Sequence, residues 1–313
     1  MRPLKIIYMG TPLFAVPCLE RLVSDGHHVV AVVTQPDRPK GRGNKLAFSP
    51  VKEAALAHQL SVFQPESIKD PLFFQQVVDL APDLIVVVAF GQFLPKVLLQ
   101  LPPLGCINVH ASLLPKYRGA APIHWALING ETRTGVTTMY MDQGMDTGDM
   151  ILKAETLIGD HETTGDLHDR LSLLGAELLS ETVALAAVSA APRQSQDHQQ
   201  ASYASLLNRD HEKIDWNKSA EQIHNTIRGL NPWPGAYALL DDKPVKLWRS
   251  TVAETNSAGI QSGQVIAVSD DEVIVQCGTG AIALMAVQPA SKRQMSAGEF
   301  ARGYTVTAGK YFT

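Results

Sequence analysis

One uninterrupted apolar run constrains the fold of this chain more than any other feature. Residues 84–88 read Leu-Ile-Val-Val-Val, and so short a run of aliphatic residues is typical of a parallel strand buried on both faces. Further apolar runs at residues 4–9, 29–33 and 62–63 alternate with amphipathic helical patterns. Strands that alternate with helices predict an α/β fold with a doubly wound, mostly parallel sheet.

The turn after the first predicted strand argues against one common ligand of such sheets. Gly10-Thr11-Pro12 follows residues 4–9, and this stretch lacks the glycines of the G-x-G-x-x-G fingerprint. We therefore expect a Rossmann-like topology without a dinucleotide site.

Composition limits the class of protein. The chain has 313 residues, which suits two domains better than one. Three cysteines without C-x-x-C spacing argue against a disulfide framework or a structural zinc site, and favour a cytoplasmic protein. No apolar run approaches the length of roughly 18 residues that a membrane span needs. The net charge of −4 means that local basic patches would have to bind any nucleic acid.

Two polar residues lie at the end of a strand predicted at residues 106–110. Because side chains alternate along a strand, Asn108 and His110 are expected on the same face. They lie near the carboxyl edge of the sheet, where open α/β sheets bind ligands, and could act together on one substrate atom. The tripeptide alone is not specific, and a buried amide beside a core imidazole is the alternative.

The loop after this strand makes the pattern specific. Residues 112–119 read SLLPKYRG and combine exposed apolar side chains, a rigid proline, cations and a phenol, which suits a flat anionic ligand. With the upstream N-x-H and with Asp146 in DQGMDTG, the loop resembles the signature of the 10-formyltetrahydrofolate-dependent formyltransferases. The resemblance implies a catalytic set of Asn108, His110 and Asp146. It also implies folate binding by Ser112, Leu113, Leu114 and Pro115.

Two neighbouring stretches bear on the same site. Phe90 and Gly91 follow the strand at residues 84–88, so we expect them to line the folate pocket, with plain packing as the alternative. The carboxylates of Asp142, Asp146 and Asp149 lie in a turn without the glycine and glutamate pattern of a calcium loop. We therefore expect no metal.

A basic segment at residues 35–44 predicts a surface loop, because its prolines and glycines interrupt both helix and strand patterns. A solvated connection is one interpretation. Together with MGTPLFAVPCLERL and NPWPGAY, the stretch TQPDRPKGRGNK is similar to the members of the family that act on charged initiator tRNA. This resemblance implies that the tRNA is bound by Arg38, Lys40, Arg42 and Lys45.

The second half of the chain predicts a separate domain. Residues 190–208 are rich in Ala, Ser and Gln and read as a linker, because they have few large apolar side chains. Residues 1–189 would then be the catalytic domain. About five short strands between residues 237 and 287 predict a small barrel, and the resemblance points to an OB-like, tRNA-binding domain at residues 209–313. A small β domain that only covers the first is the alternative.

The resemblance implies transfer of a formyl group from 10-formyltetrahydrofolate, a cosubstrate, to the α-amine of charged initiator methionyl-tRNA. Asn108 and protonated His110 would donate hydrogen bonds to the oxyanion, and Asp146 would pair with His110 and relay protons. Two alternatives stay open. The acceptor could be a small amine, such as an amino sugar nucleotide or glycinamide ribonucleotide, or the chain could be a non-catalytic RNA-binding or folate-sensing module.

Overall fold

The computed structural model describes residues 2–40, 45–254 and 259–313. The strands are β1 (Lys5–Gly10), β2 (His28–Val33), β3 (Arg38–Lys40), β4 (Lys45–Ala47), β5 (Val62–Phe63), β6 (Leu84–Val88), β7 (Cys106–His110), β8 (Arg118–Gly119), β9 (Arg133–Tyr140), β10 (Met150–Leu157), β11 (Tyr203–Ala204), β12 (Tyr237–Leu240), β13 (Lys243–Ala253), β14 (Val265–Val268), β15 (Val273–Gln276), β16 (Ala281–Pro289) and β17 (Met295–Ser296). The α-helices are α1 (Val16–Ser24), α2 (Pro50–Ala57), α3 (Pro71–Leu80), α4 (Lys96–Leu99), α5 (Pro122–Ile128), α6 (Thr164–Ala187), α7 (Arg209–Glu212), α8 (Ala220–Gly229) and α9 (Ala297–Tyr304). None of these described helices is long and apolar enough to cross a membrane.

The chain folds into two compact units that are not contiguous in sequence. The first comprises Met1–Gly119, Thr134–Thr156 and His168–Tyr203. The second comprises Ala120–Arg133, Leu157–Leu167 and Ala204–Thr313. Two short segments, residues 120–133 and 157–167, therefore belong to the second unit, although the chain returns to the first unit after each of them.

The first unit is built on a seven-stranded sheet with the order β10-β9-β7-β6-β1-β2-β5. The strands β7, β6, β1, β2 and β5 run parallel, and β9 pairs antiparallel with β7. All five residues of β6 are buried, as the run Leu84–Val88 predicts. The predicted Rossmann-like, mostly parallel sheet is confirmed.

Side chains from alternate positions of the central strands pack with α3 in one core cluster. Ile7, Ile85 and Val87 contact a cluster that includes Phe73 and Val77 of α3, all of them at most 4% exposed. Burying each of these side chains stabilises the fold by roughly 1.5–3 kcal/mol. The carboxyl ends of β6 and β7 are therefore held by a rigid platform.

The basic segment is more regular than the sequence predicts. The strands β3 and β4 form an antiparallel pair in which Pro39 lies opposite Leu46. Proline is tolerated because a two-stranded ribbon has free edges where no N–H is needed. The prediction that residues 35–44 exclude strand was wrong for Arg38–Lys40, and Arg42 lies outside the described residues.

The second unit contains an antiparallel sheet with the order β12-β13-β16-β15-β14, and β17 pairs with β16. The long strand β13 shifts register between Leu247 and Ser250, and such bulges bend a strand and increase its twist. Trp216, Phe300 and Phe312 pack in its core. The predicted OB-like second domain is confirmed.

Most of the segment predicted as a linker extends along the first unit. Residues 190–203 belong to that unit. Gln194 and Met150 exchange two backbone hydrogen bonds of 2.8 and 2.9 Å. Because the segment has few large apolar residues, polar contacts rather than core packing hold it.

Candidate active site

Asn108 and His110 lie at the carboxyl end of β7, where β9 covers one edge of the strand. They are 9% and 6% exposed and, as alternate strand residues, share a face. Among the described residues, the side-chain amide of Asn108 has no hydrogen-bond partner in the protein. Its NH₂ group is therefore available to a substrate atom.

The imidazole of His110 is oriented by the loop that follows it. Nε2 lies 2.9 Å from the carbonyl oxygen of Tyr117, and a carbonyl only accepts, so Nε2 carries a hydrogen and donates it. Nδ1 lies 3.7 Å from Oδ2 of Asp146. Because Nε2 is already engaged, Nδ1 is the ring nitrogen that is left to act on a substrate, either as the oxyanion donor expected of protonated His110 or as a carrier of the proton.

Asp146 sits in a tightly closed turn between β9 and β10. Its φ of 54° lies in the left-handed region, which non-glycine residues seldom adopt. The backbone N–H of Gly119 donates to Oδ2 over 2.8 Å, which fixes the carboxylate. A Cβ on Gly148 would collide with the carbonyl oxygen of Tyr140, so the turn needs glycine to return to β10.

The S-L-L-P loop is pinned to β9 by one hydroxyl. Oγ1 of Thr137 donates to the carbonyl of Ser112 over 2.7 Å and accepts from the N–H of Leu114 over 3.1 Å. The Leu114 side chain is only 1% exposed and packs with Met139 and Met150. The expectation that both leucines are exposed was wrong for Leu114, because a turn clamped to the sheet buries one side chain beneath it.

A lysine supports the same loop from β10. Nζ of Lys153 donates to the carbonyl of Leu114 over 2.5 Å. Partial burial lowers the pKa of Lys153. This cation, which was not predicted from the sequence, holds the turn that precedes Pro115.

Phe90 and Gly91 occupy the neighbouring edge of the sheet in different ways. The Phe90 side chain is 2% exposed and packs in the core cluster of the first unit. Its carbonyl accepts from Thr11 Oγ1 and Gln35 Nε2, over 3.2 and 3.1 Å. Gly91 has a φ of 89° and open space where a Cβ would point. Plain packing thus describes the phenyl ring of Phe90, while Gly91 borders free space.

The base of the β3–β4 hairpin is held by an ion pair. Nζ of Lys52 lies 2.5 Å from Asp37 Oδ2 and 4.0 Å from the centroid of the Phe48 ring. Hydrogen bonds from Lys52 and then Gln64 lower the pKa of Asp37. Arg38 is exposed. The hairpin therefore presents Arg38 from a fixed base. At its far end the backbones of Lys40 and Lys45 lie opposite each other in the register of the two strands.

The contact between Arg118 and Gln196 was not predicted from the sequence. Arg118, expected to be a ligand-binding cation, is only 1% exposed. Its Nε and Nη2 donate to Oε1 of Gln196 over 3.0 and 2.7 Å, and its Nη1 lies 3.2 Å from Nδ1 of His198. Gln196 lies in the predicted linker, where no periodicity or motif distinguishes it from the other glutamines.

The acidic residues around Asp146 are engaged by protein donors. Oδ1 of Asp142 accepts from the N–H of Gly144 and the hydroxyl of Thr147, over 2.9 and 2.7 Å. Asp149 accepts from Ser195 over 3.1 Å. Across the described ranges, no group of three or more His, Cys, Asp or Glu side chains is arranged to hold a metal ion.

Similarity to known proteins extends over nearly the whole chain. Residues 4–183 match the formyl transferase family, and residues 206–305 match the formyl transferase C-terminal domain. The methionyl-tRNA formyltransferase of Clostridioides difficile (strain 630) is 49% identical over 306 residues, which cover 98% of this chain and 99% of that protein. The methionyl-tRNA formyltransferase of Trichlorobacter lovleyi is 51% identical over 305 residues, covering 97% of this chain and 96% of that protein.

The same fold occurs in crystal structures of distant relatives. An N-formyltransferase from Helicobacter canadensis, in complex with folinic acid and dTDP-3-aminofucose, superimposes with a TM-score of 0.69 at 20% identity. The match covers 90% of this chain and 99% of that one. The sequence matches, which span both units, and this likeness of fold lead to one conclusion: the chain belongs to the formyl transferase family.

Proposed function

We propose that this chain transfers the formyl group of 10-formyltetrahydrofolate to the α-amine of methionyl initiator tRNA. One observation carries the proposal. Relatives named methionyl-tRNA formyltransferase share about half of all residues with this chain over essentially its full length. An identity this high over both units favours the same acceptor, and not only the same donor.

The hydrogen-bond donors of the site suit the transfer of a formyl group. Acyl transfer needs hydrogen-bond donors placed in advance for an oxygen that gains negative charge. The Asn108 amide lacks a protein partner within the described chain, and His110, which follows on the same face of β7, lies 3.7 Å from Asp146. When bound, 10-formyltetrahydrofolate supplies an activated formyl group at this point.

The proposed tasks divide between Asn108, which stabilises the oxyanion, and the pair of His110 and Asp146, which moves the proton. The Asn108 amide donates to the formyl oxygen as the methionine amine adds to the formyl carbon. A free α-amine titrates near 8, so Asp146 and His110 Nδ1 remove the proton that the amine loses on attack. The same pair returns a proton to the departing folate nitrogen, so the carbon–nitrogen bond breaks without a covalent enzyme intermediate.

The folate is proposed to lie against the loop between β7 and β8. This surface consists of the clamped turn and the open edge at Gly91. The Leu114 side chain packs inside the protein, so it contributes by shaping the turn. The Leu113 side chain is only partly buried and is the more accessible of the two to a ligand. The proposed binding set is Ser112, Leu113, Leu114, Pro115, Phe90 and Gly91.

The tRNA is proposed to contact the β3–β4 hairpin and the second unit. Arginine and lysine grip phosphates, and the glycines of the segment allow close approach. The hairpin set is Arg38, Lys40, Arg42 and Lys45. We assign catalysis to residues 1–189 and tRNA binding to residues 209–313, with residues 190–208 connecting them. We also propose a cytoplasmic location, which three buried free cysteines favour.

The test is a panel of acceptors with one donor. Purified protein is incubated with 10-formyltetrahydrofolate and, in parallel, charged initiator tRNA, charged elongator methionyl-tRNA and a dTDP-linked amino sugar. Formylmethionine on initiator tRNA alone supports the proposal. Formylation of the amino sugar with no product on tRNA would refute the acceptor assignment, and binding of tRNA without any product would refute catalysis.

A further inference from the structure

The Asp146 turn is held from behind by a side chain that lies 50 residues further along the chain. Nε2 of Gln196 donates to the carbonyl oxygens of Asp146 and Gly148, each over 2.8 Å. Gln196 is 6% exposed, so both bonds form away from bulk water. Both hydrogens of its amide nitrogen are thus donated to backbone carbonyls of one turn.

The other end of the Gln196 amide is fixed as firmly. Oε1 accepts two hydrogen bonds from the guanidinium of Arg118, which is nearly fully buried. A guanidinium only donates, so Oε1 must face Arg118 and Nε2 must face the turn. The orientation of the amide is therefore fixed by its partners.

We propose that Gln196 is a positioning residue for formyl transfer, which holds the Asp146 turn so that the carboxylate stays opposite Nδ1 of His110. The backbone of Asp146 is in the left-handed region, and such a conformation persists only where surrounding contacts determine it. Gln196 supplies two of those contacts, and the N–H of Gly119 supplies a third at the carboxylate. The inference rests on the proposed function, because it concerns the same reacting groups.

The substitution Gln196→Glu removes the hydrogen bonds to the Asp146 turn and keeps those from Arg118. An ionised carboxylate keeps the two hydrogen bonds from Arg118 but cannot donate, so it turns against the carbonyls of Asp146 and Gly148. Loss of a near-optimal geometry costs on the order of a hundredfold in rate. We expect Q196E to lower kcat by about tenfold to a hundredfold while KM for tRNA and the Kd for folate change less than about twofold.

Ser195→Ala is the matched control. Ser195 lies on the same segment and bonds the same turn, but at Asp149 instead of Asp146. We expect S195A to keep kcat within about twofold, since its bond is exposed and not directed at the catalytic aspartate. An equal loss of kcat in S195A and Q196E would overturn the inference, because it would assign the effect to the segment as a whole.

A double-mutant cycle gives the readout that a purely structural role would not produce. If Gln196 acts through Asp146, adding Q196E to Asp146→Ala causes no further loss in single-turnover rate. A further loss of the full single-mutant size would overturn the inference. Should Q196E fail to melt cooperatively, Gln196→Met carries the same cycle, since it removes the donor and fills similar volume. Wild-type protein that does not formylate tRNA refutes the proposed function, whereas an active wild type with an equally active Q196E refutes only the positioning role.

Discussion

Changing Asp146 to Asn removes one charge and little else. The new side-chain oxygen can still accept from the N–H of Gly119, and the turn keeps its other contacts. In the wild type, the carboxylate oxygen lies 3.7 Å from Nδ1 of His110. Unit charges at this distance interact by about 4 kcal/mol at an effective dielectric constant of roughly 20. If His110 becomes positively charged in the transition state, the loss in rate reaches about a thousandfold, and water entering the site would reduce it.

Single-turnover formylation of charged initiator tRNA, with enzyme in excess, measures this loss without interference from product release. Folate affinity is measured separately and should stay within about twofold, because the substitution keeps the shape of the turn. Asp142→Asn is the control: it removes a charge from the same turn at an exposed position that does not face His110. A loss below about threefold in Asp146→Asn, or an equal loss in the control, would refute the electrostatic reasoning.

Three further outcomes are expected. Asn108→Ala should lower turnover by about a hundredfold with folate binding intact, and a near-normal rate in a stopped assay would assign the oxyanion to backbone donors. Arg42→Lys should reduce catalytic efficiency on initiator tRNA although charge is kept, because a guanidinium stacks on unpaired bases and donates two parallel hydrogen bonds. The prediction is contradicted if Arg42→Lys and wild type discriminate equally between initiator tRNA and a variant with a fully paired acceptor end. The depressed pKa of Asp37 means that the Lys52 ion pair stabilises the hairpin base above the unfolded-state pKa and is lost as pH falls through the folded-state pKa. Lys52→Ala should therefore move the NMR titration of the Asp37 carboxyl upward, and an unchanged titration would show that Lys52 is not the cause.

The sequence was sufficient for those parts of the fold in which burial leaves a pattern. Leu84–Val88 predicts the central strand because a short aliphatic run of this kind is typical of a parallel strand buried on both faces. Strand alternation likewise places Asn108 and His110 on one face near the edge of the sheet. The Asp146 motif adds a third group, whose Oδ2 lies 3.7 Å from Nδ1 of His110. These features are local or belong to a specific motif.

Other features could not be predicted because they depend on contacts between distant segments. Gln196 is one of several glutamines in a polar stretch, and only the fold shows that its amide meets Arg118 and the Asp146 turn. Leu114 was expected to be an exposed apolar residue of its loop, yet the turn packs its side chain onto Met139 and Met150. The composition of the basic segment concealed a short hairpin, since a proline in an edge position does not prevent pairing.

The discontinuity of the second unit has a consequence for synthesis on the ribosome. Helix α5 packs on α8, and Gly229 of α8 lies against Ile128 of α5. At 5–20 residues per second, roughly 5–20 s pass between the emergence of the first helix and that of the second. During that interval α5, whose buried side chains include Ile123 and Leu127, lacks the surface of α8 on which it packs. The burial of α5 against α8 therefore has to wait until the last third of the chain is made.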